Sequence, residues 1–343
     1  VLKALELHNY KRFQHLRFDS FKRVNLLTGK NNCGKTSVLE AILLLLNWKK
    51  SANDFAKVFR PGRAGQLGDE TENFWKWLFP LRDLSERPTI IGDIDKVGNY
   101  RVELKWHDPQ RPEPPPPGVV IAHGAGGHVL IAVPGAPVTS MPMRHQPRGA
   151  GTALSTDHEV MSIAAEPRDP AQEAQHYARV ALKAGAEDQV ENLLRKIEPR
   201  LRSIRSLQPY GVPLLYVGID GLPERIPAIQ LGHGFSRLLS IIAEISASRM
   251  PVILVDEIEN GLHHSALPEI WRGLLTACEH SDVQIFATTH SWECVAAAHK
   301  AFSESLEYPL SVFRLEDHGG NIKAVAYDRE SLEFSIQNEW EVR

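Results

Sequence analysis

Near the start of the chain, Gly29-Lys30-Asn31-Asn32-Cys33-Gly34-Lys35-Thr36 has the residue types and spacing of a phosphate cradle. Glycines let consecutive backbone N–H groups from Asn31 to Ser37 turn onto an anion. Lys35 reaches the β/γ oxygens, Thr36 offers a hydroxyl to Mg²⁺, and the helix just after the loop adds the positive end of its dipole. An apolar strand (24–27) precedes the loop and a strongly apolar helix (37–46) succeeds it, a context that a chance glycine turn lacks. The ligand expected from these residues is ATP or GTP.

Two further segments carry groups that complete such chemistry. Residues 251–255 form a continuous apolar run that ends in Asp256-Glu257, as expected for a parallel strand covered on both faces. Ligands of open α/β sheets sit at the carboxyl ends of such strands. Asp256 is thus placed to hold Mg²⁺, and Glu257 to polarise the water that attacks the terminal phosphate. A second apolar strand, 284–291, ends in polar residues and His290, whose imidazole is expected to contact that phosphate or orient the water. Three strand ends then define one nucleotide site at one sheet edge.

The order of these motifs resembles that of ABC-type ATPase heads, the group containing SMC-like, RecF-like and OLD (overcoming lysogenisation defect) proteins. The opening Leu2-Lys3-Ala4-Leu5-Glu6-Leu7-His8-Asn9-Tyr10-Lys11-Arg12-Phe13 is similar to their first strand and turn, and Thr288-Thr289-His290-Ser291 to their switch segment. Asp256-Glu257-Ile258-Glu259-Asn260-Gly261-Leu262-His263 matches the short OLD-related bacterial ATPases residue for residue. The resemblance covers roughly 1–48 and 188–315.

That resemblance implies an α/β P-loop NTPase fold, a mixed sheet with flanking helices and an antiparallel N-terminal subsheet. It implies ATP and Mg²⁺ as cofactors, Arg12 as a nucleotide contact, and a glutamine that senses the metal, for which Gln66 is the candidate here. It also implies a homodimer closing on ATP, each nucleotide clamped against a signature segment of the other subunit. The matching segment is Gln230 to Arg237, with Gly232, Gly234 and Ser236 as contacts. It departs from Leu-Ser-Gly-Gly-Gln: Gly232 takes the serine position and His233 a glycine position, which leaves Ser236 or Arg237 as substitutes.

By the same resemblance the setting is phage defence or DNA maintenance, with a nuclease or other effector supplied by a separate chain. The residues after His290 read as two strands (310–315, 322–327) and a short helix, with no space for the metal-binding nuclease domain of OLD proteins. The alternative partner is duplex DNA held directly, as in RecF-like factors. A transporter's nucleotide subunit is disfavoured by the altered signature.

Around these motifs the chain reads as one ATPase domain whose nucleotide-lobe halves span about 1–106 and 208–343. Strands are expected near 2–9, 15–20, 23–28, 89–93 and 100–106, and the aromatic cluster 74–79 as core. A Pro/Gly-rich insertion runs from 107 to 150, and helical spacing returns from 170 to 207. No sustained heptad pattern runs through the middle, which excludes a long coiled coil.

Composition is that of an ordinary globular chain of 343 residues, 43% hydrophobic and 24% charged, and a net charge of −3 argues against wholesale attraction to nucleic acid. The basic group Arg195, Lys196, Arg200, Arg202 and Arg205 reads as a solvated helix face, interspersed as it is with Glu191 and Glu198. Cys33, Cys278 and Cys294 fit no disulfide frame or zinc spacing and point to a reducing cytosol, with no leader or membrane span. Neighbouring His263 and His264 project differently, which argues against a zinc pair.

Overall fold

Alternating apolar and polar residues build an antiparallel sheet from the first strand onward. The structure, a computed structural model, describes residues 1–47, 76–107, 119–124, 127–132, 160–163, 170–209, 211–247 and 251–338. It divides into two compact units, one of Val1–Phe21, Lys30–Ser162 and Arg314–Ala326, the other of Lys22–Gly29, Ile163–Phe313 and Tyr327–Arg343.

In the first unit, β1 (Leu2–Tyr10) and β2 (Phe13–Phe18) form a hairpin. Leu5, Leu7, Tyr10, Phe13, Leu16 and Phe18 are buried while the residues between them face outward. β3 (Val24–Gly29) leaves for the second unit, and α1 (Lys35–Asn47) returns. The helix is buried from Val38 to Asn47, as its all-round apolar sequence requires. β4 (Thr89–Ile94), β5 (Gly98–His107), β6 (Val119–Gly124) and β7 (Gly127–Ala132) complete a six-stranded sheet of order β2-β1-β4-β5-β7-β6. Every pairing in it is antiparallel, the subsheet expected from the resemblance. In the aromatic cluster, Leu78 and Phe79 are buried as expected, but Trp77 is half exposed and stacks on the Arg82 guanidinium. Phe74 and Trp75 lie outside the described residues, as do Gln66 and most of the Pro/Gly-rich insertion.

After β8 (Val160–Ile163) come α2 (Pro170–Ala181) and α3 (Ala186–Arg195). A three-stranded antiparallel sheet is next, β9 (Leu201–Leu207), β10 (Leu214–Ile219) and β11 (Ile226–Pro227). Here the helical reading of 170–207 fails at its end, because β9 is a strand. Ile219 pairs with Leu201 and Gly218 with Ser203, so Arg202 is an extra residue on β9. This β-bulge resets the alternation and leaves Leu201 and Ile204 buried three apart, the spacing of a helix face.

α4 (His233–Ala247) packs on α2 and α3 and leads to β12 (Val252–Val255). Then come α5 (Leu267–His280), β13 (Gln284–Thr288) and α6 (Trp292–Phe302), with Trp271 edge-on to Phe302 between the two helices. β12, β13 and β3 run parallel in that order, and every residue in them is buried. β14 (Leu310–His318) starts next to β3, where the Val24 amide donates to the Pro309 carbonyl (2.9 Å), and β15 (Asn321–Tyr327) and α7 (Arg329–Gln337) come after it.

Candidate nucleotide site

The phosphate loop begins where β3 ends. Gly29 and Gly34 carry φ of 132° and 96°, and Asn32 a φ of 63°, so the backbone turns through conformations that favour glycine. Cys33 is buried, Lys35 opens α1, and Asn31 and Asn32 face solvent, with Thr36 and Ser37 half buried beside them. The Lys35 ammonium curls back over the loop to the Lys30 carbonyl (3.0 Å) and stands 3.8 Å from the Cys33 sulfur.

The β1–β2 hairpin supports this loop. Phe13 lies so close beneath Gly34 that a Cβ there would stand 2.5 Å from the ring. Arg12 donates to the Asn32 carbonyl and, at 2.6 Å, to the Asp317 carboxylate. Lys11 pairs with Glu40, which is buried on α1. Phe13, Glu40 and Asp317 had no functional reading in the sequence, because only the folded hairpin brings them to the loop.

In the second unit, Asp256 and Glu257 come directly after β12. Thr288, the last residue of β13, binds both: its hydroxyl donates to an Asp256 carboxylate oxygen (2.5 Å) and accepts from the Glu257 amide (2.7 Å). Glu257 has φ of 48°, a conformation non-glycine residues rarely adopt. Arg237 of α4 donates to the carbonyls of both Asp256 and Glu257, holding the turn from the other side. Glu257 and His290 are both partly solvent-exposed, and His290 Nε2 lies 3.9 Å from Glu257 Oε1. The His290 amide donates to Glu259 Oε1 (2.7 Å), and the next residue, Ser291, caps α6 through the Cys294 amide (3.0 Å). Asp256, Glu257 and His290 are therefore brought together, as their positions at strand ends predict.

The signature segment packs against the residues after Glu257. Gly232 has φ of 95° and starts the turn into α4, and a Cβ on Gly234 would stand 2.1 Å from the Gly261 carbonyl. Ser236 is buried, and its hydroxyl lacks a hydrogen-bond partner. The His263 and His264 rings lie 4.2 Å apart, tilted 35° to one another, and His263 Nδ1 is engaged by Ser265. The four arginines of the basic group are paired: Arg195 with Glu191, Arg200 with Glu198, Arg202 with Asp220 and Arg205 with Glu191. Of these residues, Arg202 and Arg205 lie on β9, not on a helix. Burial pushes the Cys278 and Cys294 thiols up to about 12, so they are inert fillers.

Comparison with known proteins gives matches in both halves of the chain. Residues 1–74 match the family model "AAA ATPase domain", and residues 164–295 match "AAA domain, putative AbiEii toxin, Type IV TA system". The chain is similar to an "ATP/GTP phosphatase" of Helicobacter pylori, 21% identical over 368 residues and covering 99% of each chain. The chain is an ATPase. It is also similar to the DNA replication and repair protein RecF of Xanthomonas oryzae pv. oryzae, 37% identical over 148 residues, a match spanning 39% of this chain and 36% of RecF. Its fold is that of SMC heads. The SMC head domain from Thermotoga maritima superimposes with a TM-score of 0.51 at 17% identity, covering 95% of this chain and 99% of that one. An SMC head bound to the C-winged helix domain of ScpA gives 0.58 at 14% identity, covering 96% and 98%. Among the described residues no helix is long and apolar enough to cross a membrane.

Proposed function

We propose that this chain binds ATP·Mg²⁺ through the loop from Gly29 to Ser37, hydrolyses it with Asp256, Glu257 and His290, and closes as a homodimer that controls a partner. The carrying observation is the double hydrogen bond of Thr288, which holds the Asp256 carboxylate and the Glu257 backbone in one arrangement beside His290. The donor chemistry fits the cofactor: Thr36 and Asp256 offer the hard oxygen ligands that Mg²⁺ prefers. When bound, Mg²⁺ supplies charge neutralisation at the phosphate oxygens. Lys35, folded back on Lys30, swings to the β/γ oxygens, and the loop amides orient the phosphates. Glu257 accepts the proton of the attacking water, and His290 contacts the terminal phosphate and orients that water. Gly232, Gly234 and Ser236 contribute from the opposing subunit, with Gln66 as a metal-sensing residue and Arg12 steadying the loop at the nucleotide.

The partner is a nuclease supplied in trans, in phage defence or DNA maintenance, a reading that rests on the OLD-like run from Asp256 to His263. The similarity to RecF favours a second reading, direct clamping of duplex DNA. Filter binding across salt separates the two. ATP-dependent affinity with a steep salt slope supports the clamp, and no binding by the isolated chain supports the partner-dependent form. The hydrolytic assignment is tested with Glu257→Gln, which is expected to retain ATP and lose on the order of 10²–10⁴ in turnover, the worth of a general base. Normal steady-state hydrolysis removes Glu257 from the mechanism.

A further inference from the structure

The outer face of the β1–β2 hairpin carries a cluster that ATP hydrolysis leaves unused. Strand alternation turns Leu5 and Leu7 into the core and Glu6 and His8 outward, and His15 on β2 stands directly opposite His8. Both imidazoles present Nε2 to the same Glu6 carboxylate oxygen, His15 at 2.8 Å and His8 at 3.0 Å. Their rings stack at 4.7 Å with 16° between planes. One nitrogen from each histidine and one Glu6 oxygen lie within 4.8 Å of one another, the only such trio of His, Cys, Asp or Glu ligands among the described residues.

We propose that Glu6, His8 and His15 form a three-ligand site for a divalent cation of the zinc class. Two imidazoles and a carboxylate are a ligand set that zinc takes, with a fourth position left to water. Bonds of about 2.0–2.2 Å in a tetrahedron separate donor atoms by roughly 3.3 Å, so side-chain rotation alone opens the cluster enough to admit the ion. The frame is fixed, because β1 is paired on both sides, by β2 and β4. Surrounding charge does not block entry. Arg17, opposite Glu6, is drawn to Asp19, and on β4 the residues opposite Glu6 and His8 are Ile91 and Thr89. The neighbouring pair His263–His264 makes an internal control, since it belongs to no such trio.

Titration of the full chain with Co²⁺ in the absence of nucleotide, monitored by visible absorption and by displacement with Zn²⁺, tests the site. One Co²⁺ per chain in a tetrahedral environment is expected. His8→Ala and His15→Ala should each weaken binding by more than the roughly 10–100-fold that loss of an outer-shell partner costs. His264→Ala should leave it unchanged. Absence of stoichiometric binding, or binding equal to wild type in both histidine variants, overturns the proposal. Should those variants fail to fold, the nearly isosteric Glu6→Gln decides: weakened binding upholds the site and wild-type affinity overturns it.

Discussion

At the scale of single residues, the hydrolysis proposed for Glu257 requires a backbone held where it would not otherwise settle. Glu257 occupies a left-handed conformation, and a strained residue of this kind persists only when its surroundings over-determine it. Arg237 grips its carbonyl and Thr288 its amide. Thr288→Val keeps the shape but removes both hydroxyl bonds, leaving the Glu257 amide without that acceptor and Asp256 without that donor. A stability loss of about 1–3 kcal/mol is expected from the unmet polar group, read as a lower melting temperature. Turnover should fall together with it while ATP affinity stays near wild type, because the phosphate-binding loop is untouched. A variant with unchanged turnover would show that Thr288 does not position the glutamate. The carboxylates and His290 were legible in the sequence because each ends an apolar run. Thr288 has no role of its own there, and Arg237 reads only as part of the signature, because their bonds join residues 19 to 32 positions apart, a relation that local pattern does not encode.

At the scale of elements, the phosphate loop is only as firm as the hairpin beneath it. Gly34→Ala places a methyl group against Phe13 and a side chain at φ of 96°, so both nucleotide affinity and melting temperature should drop. Trimming the ring as well, with Phe13→Ala, relieves the clash and not the dihedral strain. The double variant should therefore stay defective in ATP binding. Full recovery would show that contact with Phe13 is the whole effect.

A second element gives a pH test. Asp328 caps α7 by accepting from the Ser331 amide (2.8 Å), and hydrogen bonds from Ser331 hold its carboxyl below the ordinary value. A folded-state pKa below the unfolded one means that the cap stabilises fully above the unfolded value near 4 and loses that contribution as pH falls through the folded one. Asp328→Ala should cost about 1 kcal/mol at neutral pH and progressively less in acid, measured as the difference between the two melting curves. Strands and helices with an unbroken period, such as β12 and α1, were readable in advance. β9 was not, since the bulge at Arg202 gave two buried residues a helical spacing that only the partner strand resolves.

At the scale of the whole molecule, the proposed closure of two copies on ATP rests on the signature segment. The first turn of α4 packs so tightly on the residues after Glu257 that Gly234 has no space for a Cβ against the Gly261 carbonyl. Backbone cannot yield as a flexible side chain does, so Gly234→Ala must push that turn away from the 257–262 segment. Glu257→Gln, expected to hold ATP without turnover, should shift with ATP·Mg²⁺ from the mass of one 38.4 kDa chain to about twice that in light scattering. Adding Gly234→Ala should return the protein to a single chain while ATP binding, measured by calorimetry, persists. The two readouts separate the causes: a loop that still binds nucleotide is intact, so loss of the larger species then belongs to the signature alone. A double variant that dimerises as well as Glu257→Gln removes Gly234 from the interface, and a Glu257→Gln protein that stays monomeric under saturating ATP·Mg²⁺ overturns closure on the nucleotide.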